Sequence, residues 1–226
     1  WSLTGNAGTN PNVNFLGTTD LQDLVFKTNN ATTGRISADG TSVVFGITDG
    51  YGSYSNIFGI DAGGTVGVTS GNYFGYRSGY GATGSDNSNF FGYQAGDGAL
   101  YSPSANFMGL EAGLNAQSTQ RSNFFGEWAG RNASNSNNSN FFGYLAGHNA
   151  TDANNSNFFG QDAGNGAVSS NDSNFFGRSA GINAIFAPLS NFFGNGAGSG
   201  ASSATSSNFI GNGAGGGAIG SYNSNF

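Results

Sequence analysis

Ser139-Asn140-Phe141-Phe142-Gly143-Tyr144-Leu145-Ala146-Gly147-His148-Asn149-Ala150 decides the fold of this chain, because close copies of it recur at a fixed step. An Asn marks each copy, at Asn56, Asn72, Asn89, Asn106, Asn123, Asn140, Asn157, Asn174, Asn191, Asn208 and Asn225. The first step is 16 residues and the next nine are 17 each. Self-similarity at such a period is the signature of stacked supersecondary units. A constant step leaves no room for a bulge between one unit and the next.

The consensus is Ser-Asn-Phe-Phe-Gly-x-x-Ala-Gly-x-[Asn/Gly]-Ala, followed by about five variable polar residues. Six units carry Asn-Phe-Phe-Gly unchanged, while Asn106-Phe107-Met108-Gly109 and Asn208-Phe209-Ile210-Gly211 keep the apolar pair. At least two glycines per unit exclude a helix, since each costs about 1 kcal/mol relative to Ala inside one. No apolar stripe of helical period exists either. Ser-Asn-Phe-Phe reads as a short strand closed by a turn at Gly.

Two residues after the second Gly, nine consecutive units hold only Gly or Asn: Gly81, Gly98, Asn115, Asn132, Asn149, Gly166, Asn183, Gly200 and Gly217. Both residue types tolerate positive φ, so each unit is expected to turn there through the left-handed region. The glycines before it, such as Gly92 and Gly96, mark corners where no side chain fits. The recurring Ala (Ala95, Ala112, Ala129, Ala146) is small enough to be buried there.

Parallel stacking puts equivalent residues about 4.8 Å apart. The expected fold is all-β, a parallel β-solenoid (β-roll) of 17-residue coils. Asn89, Asn106, Asn123, Asn140, Asn157, Asn174, Asn191 and Asn208 then form a structural ladder of side-chain amides. Two Phe columns run beside it, one through Phe90, Phe107 and Phe124, the other through Phe91, Met108 and Phe125. Neighbouring strand residues face opposite ways, so one column fills the coil and the other faces out. Alternatively, a backbone bent at Gly folds both rings inward. An exposed aromatic column of this length exceeds what soluble monomers leave in water, which points to self-association. Replacing one column by Ser or Thr (for example at Phe124, Phe141, Phe158 and Phe175) is expected to dissociate the assembly, and replacing the other to abolish folding.

The composition agrees. The chain has 226 residues, 41 Gly and 21 Phe, only 8% charged residues, a net charge of −6 and no Cys. So much Phe is out of place in a disordered chain. One Lys and five Arg supply no clustered cations for nucleic acid. Without Cys there is no disulfide framework or thiolate metal site. No apolar run is long enough for membrane insertion as a helix. No signal peptide is visible, and the chain reads as a segment of a longer polypeptide.

Over about Ser42 to Phe226 the repeat resembles those of trimeric autotransporter adhesin heads (the YadA-like head), which carry a Ser-x-Ala-Ile-Gly-x-x-Ala core. It departs from them in its longer unit and in Phe-Phe for a small aliphatic pair. The resemblance implies a left-handed parallel β-roll and a homotrimer. Residues 1–46 lack the period and read as an N-terminal cap or collar with short strands, ahead of solenoid repeats over 47–226. Trp1-Ser2-Leu3-Thr4-Gly5-Asn6 and Asn14-Phe15-Leu16-Gly17-Thr18-Thr19-Asp20 resemble a segment of phage tail-fibre-like and bacterial surface proteins. Many of those end in an intramolecular chaperone, which this chain does not contain. Ser42-Val43-Val44-Phe45-Gly46-Ile47 reads as a degenerate first coil.

Chemical motifs fail in context. Gly177-Arg178-Ser179-Ala180-Gly181 fits a nucleophile elbow, but Ser179 occupies a slot held elsewhere by Gln94 and Trp128. The single His, His148, lies in another coil. Gly79, Gly81 and Gly84 match a dinucleotide fingerprint without opening a helix. Acidic residues form no column, against a calcium-binding roll. No enzyme, cofactor or metal is therefore expected. Tyr76, Tyr93, Trp128 and Tyr144 crowd the slots after the first Gly in the early coils, as contacts for a cell-surface glycan or as interface residues. The expected role is the shaft of an extracellular fibre, a tail fibre or adhesin, with a glycan-binding flank as the alternative.

Overall fold

The computed structural model describes residues 5–38, 43–45, 55–64 and 70–226. Strand β1 (Leu24–Thr28) and strand β2 (Ala31–Ile36) form an antiparallel hairpin, and β2 lies antiparallel on β3 (Val43–Phe45). The hairpin turns through Asn29 and Asn30, both at positive φ (48° and 61°), as a two-residue turn between twisted strands requires. From β3 onward every pairing is parallel.

Strands β4 to β13 have three residues each: Asn56–Phe58, Asn72–Phe74, Asn89–Phe91, Asn106–Met108, Asn123–Phe125, Asn140–Phe142, Asn157–Phe159, Asn174–Phe176, Asn191–Phe193 and Asn208–Ile210. They extend one sheet in strict chain order. Register follows the repeat: Asn123 pairs with Asn140, Phe124 with Phe141 and Phe125 with Phe142. The single 16-residue step keeps it too, Asn56 pairing with Asn72. A second line of parallel bridges, Leu100 to Gln117 to Ser134 to Thr151, runs along another side of the coil. The described residues contain no helix. The chain is a parallel β-solenoid, as its period requires.

The two Phe columns part at the strand. Phe90, Phe107, Phe124, Phe141, Phe158, Phe175, Phe192 and Phe209 are fully buried. Their rings stack along the axis at 4.7 Å between centroids and within 5° of parallel from Phe107 to Phe141. The neighbouring column points out and is half-buried or exposed. Both rings therefore do not share one coil. The column of Phe124, Phe141, Phe158 and Phe175 is the inner one, so substituting it is expected to unfold the chain, not to dissociate an assembly; the column that faces out is Phe125, Phe142, Phe159 and Phe176.

Columns of Ala and Ser complete the interior. Ala129 and Ala133 are fully buried, as are their equivalents from Ala95 to Ala201, while Ala214 and Ala218 in the last coil are partly buried. The conserved spacing of glycines has two distinct causes. A Cβ on Gly130 would overlap the Phe124 ring, which lies flat against that glycine. A Cβ on Gly126 would lie 2.5 Å from the Gly143 carbonyl oxygen, so this column is where successive coils touch backbone to backbone.

Coil 122–138 shows how the backbone closes. Six of its residues have positive φ: Gly126 (137°), Trp128 (59°), Gly130 (60°), Asn132 (55°), Asn135 (48°) and Asn138 (55°). Alternating right- and left-handed residues tip successive peptide planes up and down the axis. Five of the six amides donate to the preceding coil, Gly126 to Met108, Trp128 to Leu110, Asn132 to Leu114, Asn135 to Gln117 and Asn138 to Gln120, at 2.8–3.0 Å. Gly130 donates forward to Ala146 at 2.9 Å, as Asn123 does to Ser139. Each left-handed residue costs an L side chain about 1–2 kcal/mol, offset by a backbone hydrogen bond made at every coil.

The hairpin seals the first coil. Val44 opens the inner column ahead of Ile57 and Tyr73, and Phe45 stacks on Phe58 at 5.5 Å. Phe26 extends the outer column one rung further, 5.7 Å from Phe45. An atypical unit of this kind is what an exposed solenoid edge requires. Trp1 to Thr4, Ser42, Gly46 and Ile47, and with them the 46/47 boundary, lie outside the described residues.

Asn132→Val is expected to destabilise the protein by about 1–2 kcal/mol, because a β-branched residue is forced to positive φ. Asn132→Gly is expected to be tolerated. Urea titrations followed by circular dichroism compare the two; equal stability would show that the corner does not demand a left-handed residue.

Candidate functional site

The regular surface offers ladders rather than a cleft. In the principal one, Asn123 Nδ2 donates to Asn140 Oδ1 at 2.7 Å, Asn140 to Asn157 at 2.8 Å and Asn157 to Asn174 at 2.8 Å. Asn89, Asn106, Asn191 and Asn208 continue it in both directions. At the Gly/Asn corner, Asn115, Asn132, Asn149 and Asn183 have φ of 54–56°, and Gly98 and Gly166 have 66° and 68°. Asn115 there bonds Asn132 at 3.4 Å, and Asn132 bonds Asn149 at 3.1 Å.

A third ladder lies inside and rests on the Ser that precedes each strand. Ser139 Oγ donates to the Ala153 carbonyl at 2.6 Å and accepts the Ser156 amide at 3.1 Å. Ser156 and Ser173 repeat both bonds one coil on. The hydroxyl thus pairs two buried backbone groups from a neighbouring coil. Its signal was in the consensus, where Ser stands first, but the identity alone did not reveal a buried role. Gly71 replaces it in the unit that has Tyr73 in place of the inner Phe. A Cβ on Gly71 would overlap the Tyr73 hydroxyl. The phenol fills the volume that Ser occupies elsewhere, its oxygen buried without a hydrogen-bond partner. Burial foremost, and then the nearby charge of Asp86, raises its pKa above the ordinary tyrosine value.

The outer face carries the aromatic residues. Phe125, Phe142, Phe159 and Phe176 stack at 4.8 Å within 3–12° of parallel. Met108 interrupts this column and is 40% exposed. Two positions further along the coil, Tyr76 and Tyr93 are exposed and stack on each other at 5.2 Å. Trp128 is half-buried, with Tyr144 at 5.8 Å and the Arg131 guanidinium 5.5 Å over its ring. The structure therefore gathers the four aromatics into two pairs, not one platform. Tyr76 and Tyr93 face each other, whereas Trp128 and Tyr144 are tilted by 31°, with Trp128 Nε1 buried and without a hydrogen-bond partner.

Charges are tied between coils. Arg77 Nε lies 3.2 Å from Asp97 Oδ2 and its guanidinium rests 4.3 Å over Tyr80. Burial raises the Asp97 carboxyl pKa against the opposing pull of Arg77 and Gln94. Arg131 pairs with Glu111 across the same two slots at 3.3 Å. His148 Nδ1 sits 3.3 Å from Asn165 Oδ1 and 3.1 Å from Asn149 Nδ2. Burial lowers its pKa, with Asn165 pulling the other way. Ser179 sits at φ 57°, its amide bonded to the Gln161 carbonyl, in the same left-handed slot as Trp128. The described residues hold no cluster of three or more His, Cys, Asp or Glu side chains that could bind a metal. No helix among them is long and apolar enough to cross a membrane.

No protein-family model matches the sequence, and no curated protein matches it either. The class rests on geometry: a tandem-repeat parallel β-solenoid whose surface is built from side-chain ladders.

Ser139→Ala is expected to cost about 1–3 kcal/mol, because it strands a buried carbonyl and a buried amide. Denaturant unfolding reads this out, and an unchanged midpoint would show that water replaces the hydroxyl.

Proposed function

We propose that this chain is the rigid shaft of an extracellular fibre, a tail fibre or surface adhesin. It assembles with copies of itself and holds an attachment function away from its base. The observation that carries this reading is the outer aromatic column. It runs the length of the stack and still shows Phe58, Met108, Phe193 and Ile210 at 36–67% exposure. Half-buried rings in register give a copy of the same chain a matching row of edges to pack against. Full burial of each such side chain is worth roughly 1.5–3 kcal/mol, against association costs of about 4–15 kcal/mol. Each half-buried rung recovers only part of that, so many rungs must act together. The count of three rests on the resemblance to adhesin heads, and so does a left-handed coil. The role is non-enzymatic, and no cofactor is invoked.

A glycan-binding flank is the second reading, favoured by the exposure of Tyr76, Tyr93 and Tyr144. At Tyr76 and Tyr93 glycan would meet ring edges and hydroxyls, because the facing rings cover each other. Binding to a glycan array that disappears in Tyr93→Ser would favour it over a passive shaft.

Light scattering tests the main reading. The intact chain is expected to be oligomeric at micromolar concentration. Ser at Phe125, Phe142, Phe159 and Phe176 is expected to give a folded monomer with an unchanged β spectrum. A folded, soluble monomer with the outer column intact would overturn it.

A further inference from the structure

Tyr76 and Tyr93 occupy the same slot in successive coils. Their rings lie 5.2 Å apart between centroids and 23° from parallel, and they are 42% and 49% exposed. This is the one tyrosine–tyrosine ring contact among the described residues. The rungs on either side of the pair are Ile60 and Leu110, which do not form stable radicals. The other described tyrosines are placed differently. Tyr73 is buried, Tyr80 lies under the Arg77 guanidinium, Tyr144 faces Trp128, and Tyr101 and Tyr222 are exposed at other positions of the coil.

We propose that Tyr76 and Tyr93 form an oxidative cross-linking site, coupled into a dityrosine by a one-electron oxidant of the peroxidase and hydrogen peroxide type. Each phenol loses one electron and one proton to give a phenoxyl radical. The two radicals join through their ortho carbons, forming one carbon–carbon bond. The hydrogen on each coupled carbon then moves to oxygen, restoring both phenols. The chain gives up two electrons and two protons, and these reduce one hydrogen peroxide to two waters. Joining the ortho carbons requires the stacked rings to turn from face-on to edge-on, a side-chain rotation that exposed residues make on the picosecond-to-nanosecond scale. Stacking holds the second phenol at the first radical, so coupling within the chain outruns encounter between chains.

The bond would staple two coils through positions 17 residues apart in a chain that has no cysteine. It would close a short loop and restrict the unfolded chain, as a disulfide does. The site is independent of the fibre reading, because it needs only one folded chain.

The test is oxidation of the intact protein with a haem peroxidase and hydrogen peroxide over a dilution series. The expected result is dityrosine fluorescence whose rate per chain does not change with dilution. Peptide mapping is expected to join the Tyr76 and Tyr93 peptides with a loss of two hydrogens. Y76F and Y93F keep the ring stack and remove one phenol; each is expected to lose this linked peptide with the β spectrum unchanged. A link whose rate falls with dilution, a linked peptide that persists in Y93F, or coupling mainly through Tyr101, Tyr144 or Tyr222 would overturn the proposal.

Discussion

The hydrogen bond between the backbones of successive coils sets the scale for everything else in this protein. It fixes the axial step near the parallel-strand spacing, and every side-chain column inherits that step. The inner Phe rings answer with centroids 4.6–4.8 Å apart from Phe107 to Phe209, and the outer rings with 4.8 Å over Phe125 to Phe176. Parallel rings at this separation are offset, an arrangement aromatic pairs prefer to a direct sandwich. The asparagine amides, the serine hydroxyls and the contact at Gly126 all work at the same distance. From Asn72 to Asn225 the step is 17 throughout, and the one 16-residue step, from Asn56 to Asn72, still keeps the strand columns in register.

A narrow coil has little interior, and the residue choices reflect that. One Phe per coil supplies most of the apolar volume, and Ala and Ser fill the rest without crowding it. Gly130 exists for the ring of Phe124, whereas Gly126 exists for the carbonyl of Gly143. The exchange at Gly71 and Tyr73 shows the interior conserving volume: one side chain grows and its neighbour shrinks.

Much of this was legible in the sequence. The Asn period fixed strand positions and parallel register, and the Gly/Asn slot named the corner at Asn132 and its equivalents. Other features were not. Phe124 and Phe125 are the same residue, so composition could not say which ring enters the coil; only the strand geometry decides. The left-handed residues at Trp128, Leu145 and Glu111 were also hidden. Their side chains point away from the interior, so packing places no demand on identity, and the positive φ is imposed by the backbone hydrogen bond beneath. Ser139 and its equivalents stand first in the consensus, but their identity alone does not say that each is a buried bridge. The aromatic pairs needed three dimensions, since Trp128 and Tyr144 stand in different slots of successive units.

The asparagine ladder has a direction. From Asn56 to Asn225 each side-chain amide donates to the asparagine of the next coil, and none of these bonds runs the other way. Backbone bonds between coils run both ways and largely cancel, as at Gly126 and Gly130. The amide dipoles do not cancel. They sum like peptide dipoles in a helix, and polarisation along the chain of bonds reinforces each one. The column is thus an electrically poled wire of side chains, with its negative pole at Asn56 and its positive pole at Asn225. One amide cannot flip alone without setting two donors or two acceptors face to face, so the polarity switches as a whole or not at all.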